Sequence, residues 1–87
     1  MNVRSVFCPG PAKFYSNAEN SLRNRIDRCV REIRRDPYRH NNIKRLSGQF
    51  AGLLRFRIGD WRVVYRVNDS DRRVVIVDIG HRRDIYE

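Results

Sequence analysis

The chain has 87 residues, 40% of them hydrophobic, and sets 19 Lys and Arg against 10 Asp and Glu, a formal net charge of +9 with pI about 10.8. That length supports one small domain over residues 1–87 with one modest core, so any site is expected on a single compact surface. No stretch approaches the roughly 20 apolar residues of a bilayer-spanning helix, and the charge favours a polyanionic partner, so a cytoplasmic chain is the expectation.

Alternation through "NVRSVF" predicts a short first strand over residues 2–7, stopped by the prolines and glycine of "CPGP". A helix follows from near Pro11 through "AKFYSNA", with Phe14 and Tyr15 as its apolar contribution. A longer helix is marked by Leu22, Ile26, Cys29, Val30 and Ile33 at three- and four-residue spacing, and Asp36-Pro37 ends it. Its arginines, among them Arg23, Arg28 and Arg31, alternate with Asp27 and Glu32, which favours a solvated face with i,i+4 ion pairs over a dedicated binding face. Cys8 and Cys29 lack CxxC spacing and read as buried or half-buried thiols, with neither a disulfide framework nor a metal site.

From Gly52 the period changes to two. "GLLRFRI", "WRVVYRV" and "RVVIVDI" are strand candidates joined by "GD" and "NDSDR", giving consecutive antiparallel hairpins. The predicted fold is α+β with order βααβββ: an antiparallel sheet packed on one face by an N-terminal helical hairpin, its other face available for function.

A two-residue Gly59-Asp60 loop, with glycine first, sets Ile58 opposite Trp61, Arg57 opposite Arg62, Phe56 opposite Val63 and Leu54 opposite Tyr65. The apolar residues then share the core face, while Arg55, Arg57, Arg62 and Arg66 share the other. Like charges directly opposed across a ladder destabilise it by about 0.2–1 kcal/mol, and a bound phosphate would turn that repulsion into attraction. The competing reading is a solvated strand face that keeps the sheet soluble. After the last strand, Gly80 turns the chain into "HRRDIY". There Arg82 and Arg83 offer charge to phosphate, Tyr86 a stacking ring or a phenolic proton, and His81 the side-chain type whose unperturbed pKa lies nearest neutrality. Each has an ordinary alternative, His81 as surface decoration and Tyr86 as a packing anchor.

In order, "LSG", the basic-apolar-basic "RFR", "GDWRVVY", and then glycine, histidine, arginine and a late tyrosine resemble the C-terminal half of the RelE/ParE toxin superfamily, in its RelE-like branch. The N-terminal strand and helices fit the same pattern. The resemblance implies the toxin of a type II toxin–antitoxin pair, a ribosome-dependent endoribonuclease that cuts mRNA in the ribosomal A site without a metal or other cofactor. Its partners would be a cognate antitoxin, the ribosome with its rRNA, and mRNA.

Carried over by position, Arg55 and Arg57 match the two basic residues of the second strand, Arg62 the arginine after the aromatic, Arg82 the arginine after the strand-terminal glycine, and Tyr86 the late tyrosine. The better-known pattern has lysines on that strand, one able to act as a base; arginine stays protonated, so Arg55 and Arg57 are assigned electrostatic roles. Proton transfer falls to Tyr86 or, as the weaker candidate, His81. Arg66, Arg83, Arg23, Arg28 and Arg31 are candidate RNA contacts. Two rival readings share the charge without the chemistry: a ParE-like gyrase inhibitor and a catalytically inactive RNA- or partner-binding module.

Overall fold

Pro9 and Pro11 fall in the first turn of α1 (Pro9–Asn17), where their missing N–H groups have no intrahelical acceptor to lose. The helix therefore starts two residues before the point that "PAKFYSNA" suggested. The computed structural model describes residues 3–85. Before α1 lies β1 (Arg4–Phe7), and after it α2 (Asn20–Arg35), β2 (Ile43–Arg45), a single 3₁₀ turn (Gly48–Phe50), β3 (Leu54–Ile58), β4 (Trp61–Asn68) and β5 (Arg73–His81).

The apolar stripe of α2 buries Ile26, Cys29 and Ile33 against the sheet, and Asp36 stops the helix as expected. Its carboxylate accepts from the Tyr38 and Arg39 amides, a turn that reverses the chain. Those two N–H groups, Tyr38's first, hold the Asp36 carboxyl below the usual aspartate range.

The α+β class and the helical hairpin on one face stand, and the strand set is larger than the sequence suggested. The sheet has five strands in the order β1-β5-β4-β3-β2. β2 is the added one, three residues antiparallel to β3, and β1 runs parallel to β5 while the remaining pairs are antiparallel. The β3–β4 register is the expected one, Leu54 opposite Tyr65 through Ile58 opposite Trp61, and Gly59 has φ +59°, the positive angle such a loop asks of its first residue.

The main core lies between helices and sheet: Ile26, Ile33, Val63, Tyr65, Val74 and Ile76 are completely buried. The Tyr65 hydroxyl donates to the Pro37 carbonyl, fixing the α2–β2 connection to the sheet, and burial pushes its pKa up. The outer face is less open than the sequence suggested. Leu46, Val64 and Ile85 are buried there, with Phe50, Leu53 and Val77 packed around them. The chain between β2 and β3 folds back, with the Leu46 amide donating to the Leu53 carbonyl, and roofs a strip of that face. A bulge assists: Val64 pairs with Asp78 but Tyr65 with Ile76, so Val77 is the extra residue of β5.

Candidate nucleic-acid interface

β2 and β3 set Lys44 directly opposite Arg55, and β3 and β4 set Arg57 opposite Arg62. Four cationic residues thus occupy paired positions on the outer face, with Arg66 exposed further along β4. Lys44 was missed in the sequence because nothing marked "IKR" as a strand; its partner Arg55 shows that it extends the basic row.

The four are not equivalent. Arg57 is exposed, whereas Arg62 is only 7% exposed. The Arg62 Nη1 donates to the carbonyls of Gly59, 2.8 Å away, and Trp61, 3.1 Å away, so its guanidinium is drawn back against the hairpin end. Arg55 is half-buried and donates through Nη1 to the Asn42 carbonyl at 2.7 Å, the same oxygen that accepts from the Arg57 amide. Backbone carbonyls, which carry no net charge, therefore help to fix these two guanidinium groups in place.

The segment after β5 returns to the same hairpin. The Arg82 amide donates to the Asp60 carbonyl at 2.7 Å, and its Nε lies 3.7 Å from the Asp60 carboxylate in an exposed pair. Arg62 and Arg82, separated by one strand in sequence, thus both take hold of the loop Gly59–Trp61. Arg83 is exposed beside them.

His81 is placed differently. It pairs with Trp61, and its ring lies edge-on to the indole with centroids 5.4 Å apart. Trp61 itself packs on Phe14 of α1, so the imidazole belongs to the helix side of the sheet while its neighbour Gly80 opposes Arg62. The His81 Nδ1 accepts from the Arg83 amide, which leaves Nε2 to carry the proton of the neutral ring. Tyr86 lies outside the described residues.

The helix arginines divide. Arg23 donates to the Ala18 carbonyl and stacks over Tyr15, and Arg31 borders a recess with Phe7 and Tyr15. Arg28 is on another flank, where it lines a cleft of about 360 Å³ together with Arg25, which sequence reasoning did not single out. The signal was there in the three- and four-residue steps Arg25, Arg28, Glu32. Among the described residues, no group of three or more His, Cys, Asp or Glu side chains is placed to hold a metal ion, and no helix is long and apolar enough to cross a membrane.

The family model described as the ParE toxin of the type II toxin–antitoxin system parDE matches residues 12–86. The chain belongs to the RelE/ParE toxin superfamily. Toxin RelG of Mycobacterium tuberculosis is 38% identical to this RelE/ParE toxin over 55 residues, a match spanning 63% of the chain and 61% of that toxin. The toxin of the M. tuberculosis RelBE2 toxin–antitoxin complex superposes with TM-score 0.81 at 21% identity, covering 93% of this chain and 99% of that one. The archaeal RelE–RelB complex from Pyrococcus horikoshii gives TM-score 0.78 at 22% identity over 98% and 100%, and the intact E. coli RelBE complex 0.78 at 18% over 91% and 95%. At these identities the superpositions establish the fold.

Proposed function

We propose that this type II toxin is a ribosome-dependent endoribonuclease that cuts mRNA in the ribosomal A site, with the outer face between β3, β4 and the Arg82 turn as its active site. The observation that carries the reading is the convergence of Arg62 and Arg82 on one hairpin loop, beside the cationic row of Lys44, Arg55 and Arg57.

In the reaction, the 2′-oxygen of a nucleotide bonds to the adjacent phosphorus and the P–O5′ bond breaks, leaving a 2′,3′-cyclic phosphate and a free 5′-hydroxyl. Negative charge builds on the non-bridging oxygens, and guanidinium groups already held by carbonyls stabilise it without reorganising. Arg62, buried and doubly bonded, is the fixed donor; Arg82 is the exposed one, and phosphate competes with Asp60 for it. Arg55 and Arg57 bind the flanking charge. Removing the 2′-hydroxyl proton and protonating the 5′-oxygen are assigned to Tyr86, with His81 as the second candidate, each transfer worth about 10²–10⁴-fold. For His81 to serve, its imidazole must leave Trp61 and cross the sheet edge.

The small face has little area for reading bases, so placement of the substrate is shared with the ribosome, and free RNA is expected to be cut poorly. Arg23, Arg28, Arg31, Arg66 and Arg83 supply phosphate contacts, and a cognate antitoxin covers the basic surface between episodes of activity. The M. tuberculosis, P. horikoshii and E. coli relatives, each crystallised in complex with its antitoxin or RelB partner, support such an arrangement.

The test is mRNA cleavage in a defined translation reaction, with and without ribosomes, comparing wild type with Arg82→Ala and Tyr86→Phe. Ribosome-dependent cuts that vanish in Arg82→Ala are the expected result. Intact mRNA with wild-type protein overturns the reading and favours the second one, a gyrase inhibitor without nuclease chemistry, to which the ParE description of the matching family points; loss of gyrase supercoiling activity is then the measurement.

A further inference from the structure

A cleft between α2 and the end of β3 lies beside the proposed active site and shares Arg28 and Arg57 with the phosphate contacts above. β2 pairs with β3 only as far as Phe56; the Arg57 amide still donates to the Asn42 carbonyl, and Ile58 lies beyond that last contact. Arg25 and Arg28 of α2 line it, together with His40 and Asn42 from the connection between α2 and β2. The floor is apolar, formed by Cys29, Phe56 and Ile58, and burial raises the Cys29 thiol pKa, so the floor contributes no charge.

Three features fit the cleft to a nucleotide phosphate. First, among the described residues no acidic side chain pairs with Arg25, Arg28 or Arg57; the one carboxylate on the wall, Glu32, is directed to Arg35 at 3.6 Å. Second, the His40 Nδ1 accepts from the Asn42 amide, which puts the neutral ring's proton on Nε2 as a donor, while the ring lies 4.7 Å from that of Phe56 and offers a surface for a base. Third, Gly59 borders both places: its carbonyl accepts from Arg62, and a Cβ on it would lie 2.5 Å from the Arg25 Nη2. The cleft and the Arg62–Arg82 cluster are therefore the two sides of one hairpin end.

We propose that this cleft is a second phosphodiester subsite, which binds a neighbouring phosphate of the same single-stranded RNA whose scissile phosphate lies at Arg62 and Arg82. Arg25 and Arg28 clamp the phosphate oxygens, with Arg57 at the boundary between the sites. The proposal rests on the ribonuclease reading for the identity of the strand, and it is tested by binding alone, so the two can fail separately.

The experiment is an amide chemical-shift titration of the full chain with an uncleavable 2′-O-methyl trinucleotide, repeated with inorganic phosphate and with a glutamate-rich peptide, for wild type and Arg25→Gln/Arg28→Gln. Thermal unfolding of the double variant, and rescue by Arg25→Lys/Arg28→Lys, check that the fold survives. The expected result is saturable shifts at Asn42, Arg57 and Gly59 in addition to those around Arg62, and about tenfold weaker trinucleotide binding by the glutamine variant. The slope of log affinity against log salt should also be shallower by about 1. Shifts confined to the Arg62–Arg82 side, or equal affinity in the variant, overturn the subsite. So does saturation of the same amides by inorganic phosphate with no gain from the trinucleotide, which makes it a small-anion site. Binding of the peptide alone assigns the cleft to a protein partner and overturns it as well. Failure of wild-type protein to cut mRNA removes the reaction without touching these outcomes.

Discussion

The two faces of one five-stranded sheet use the same alternation for opposite ends. Towards the helices, Val63, Tyr65, Val74 and Ile76 reach complete burial, and each gains stability from its neighbours. On the outer face Arg57 stands opposite Arg62 and Lys44 opposite Arg55, pairings that work against the fold when nothing is bound. A surface whose members attract needs no ligand to explain it, whereas like charges set opposite one another fit the phosphate ligand proposed above. Arg62 shows how the conflict is contained, because its guanidinium is bonded to two carbonyls of its own hairpin.

The comparison breaks most severely where the inner face is cut. Ile33→Ala, at a fully buried position, is expected to lower unfolding stability by about 2–5 kcal/mol in a denaturant titration, while leaving the cleavage rate of the molecules that remain folded unchanged. Arg62→Ala should invert that result. The expected loss is about 10²–10³-fold in kcat/KM for mRNA cleavage on the ribosome, with a smaller change in the unfolding midpoint. Val64→Ala tests the roofed strip of the outer face: at about 0.8 kcal/mol per buried CH₂, a cost of roughly 2 kcal/mol would show that the strip is a second core. Gly59→Ala probes the boundary between faces. Its positive φ predicts a loss of about 1–2 kcal/mol, accompanied by displacement of Arg25.

The gentlest effect is on pH dependence. Asp36 has a folded-state pKa held below its unfolded value, so its contribution is complete above the unfolded pKa and is lost as pH falls through the folded one. Unfolding of wild type should become acid-sensitive below about pH 4, and Asp36→Asn should flatten that part of the curve.

How far the sequence spoke depended on the range of the interaction involved. The β3–β4 register was legible because a single glycine and six alternating apolar residues all demanded the same pairing. The end of α2 was legible in two residues, Asp36 and Pro37. β2 was not, since three residues offer no period to detect, and the strand exists only because β3 presents an edge to it. The parallel contact of β1 with β5 joins segments far apart in sequence, and no local pattern encodes such a partner. For the site, residue types told which side chains carry charge but not where it is held. Burial of Arg62 depends on carbonyls of its own hairpin, and the separation of Arg25 and Arg28 from Arg23 depends on which flank of α2 meets β3. His81 was grouped with its neighbours in sequence, whereas its pairing with Trp61 sends the ring to the helix side.

The parallel pairing of edge strand β1 with β5 also bears on when this toxin can exist as a folded molecule. During synthesis, β1 emerges before the other strands and must wait, unpaired, until Arg73–His81 has left the ribosome, because the hydrogen bonds of Arg4 and Cys8 go to Arg72 and Ile76. The Arg82 turn that completes the cluster comes later still. A nascent chain lacking β5 has neither a partner for β1 nor the turn that carries Arg82, so the sheet is completed only once Arg73–His81 is available.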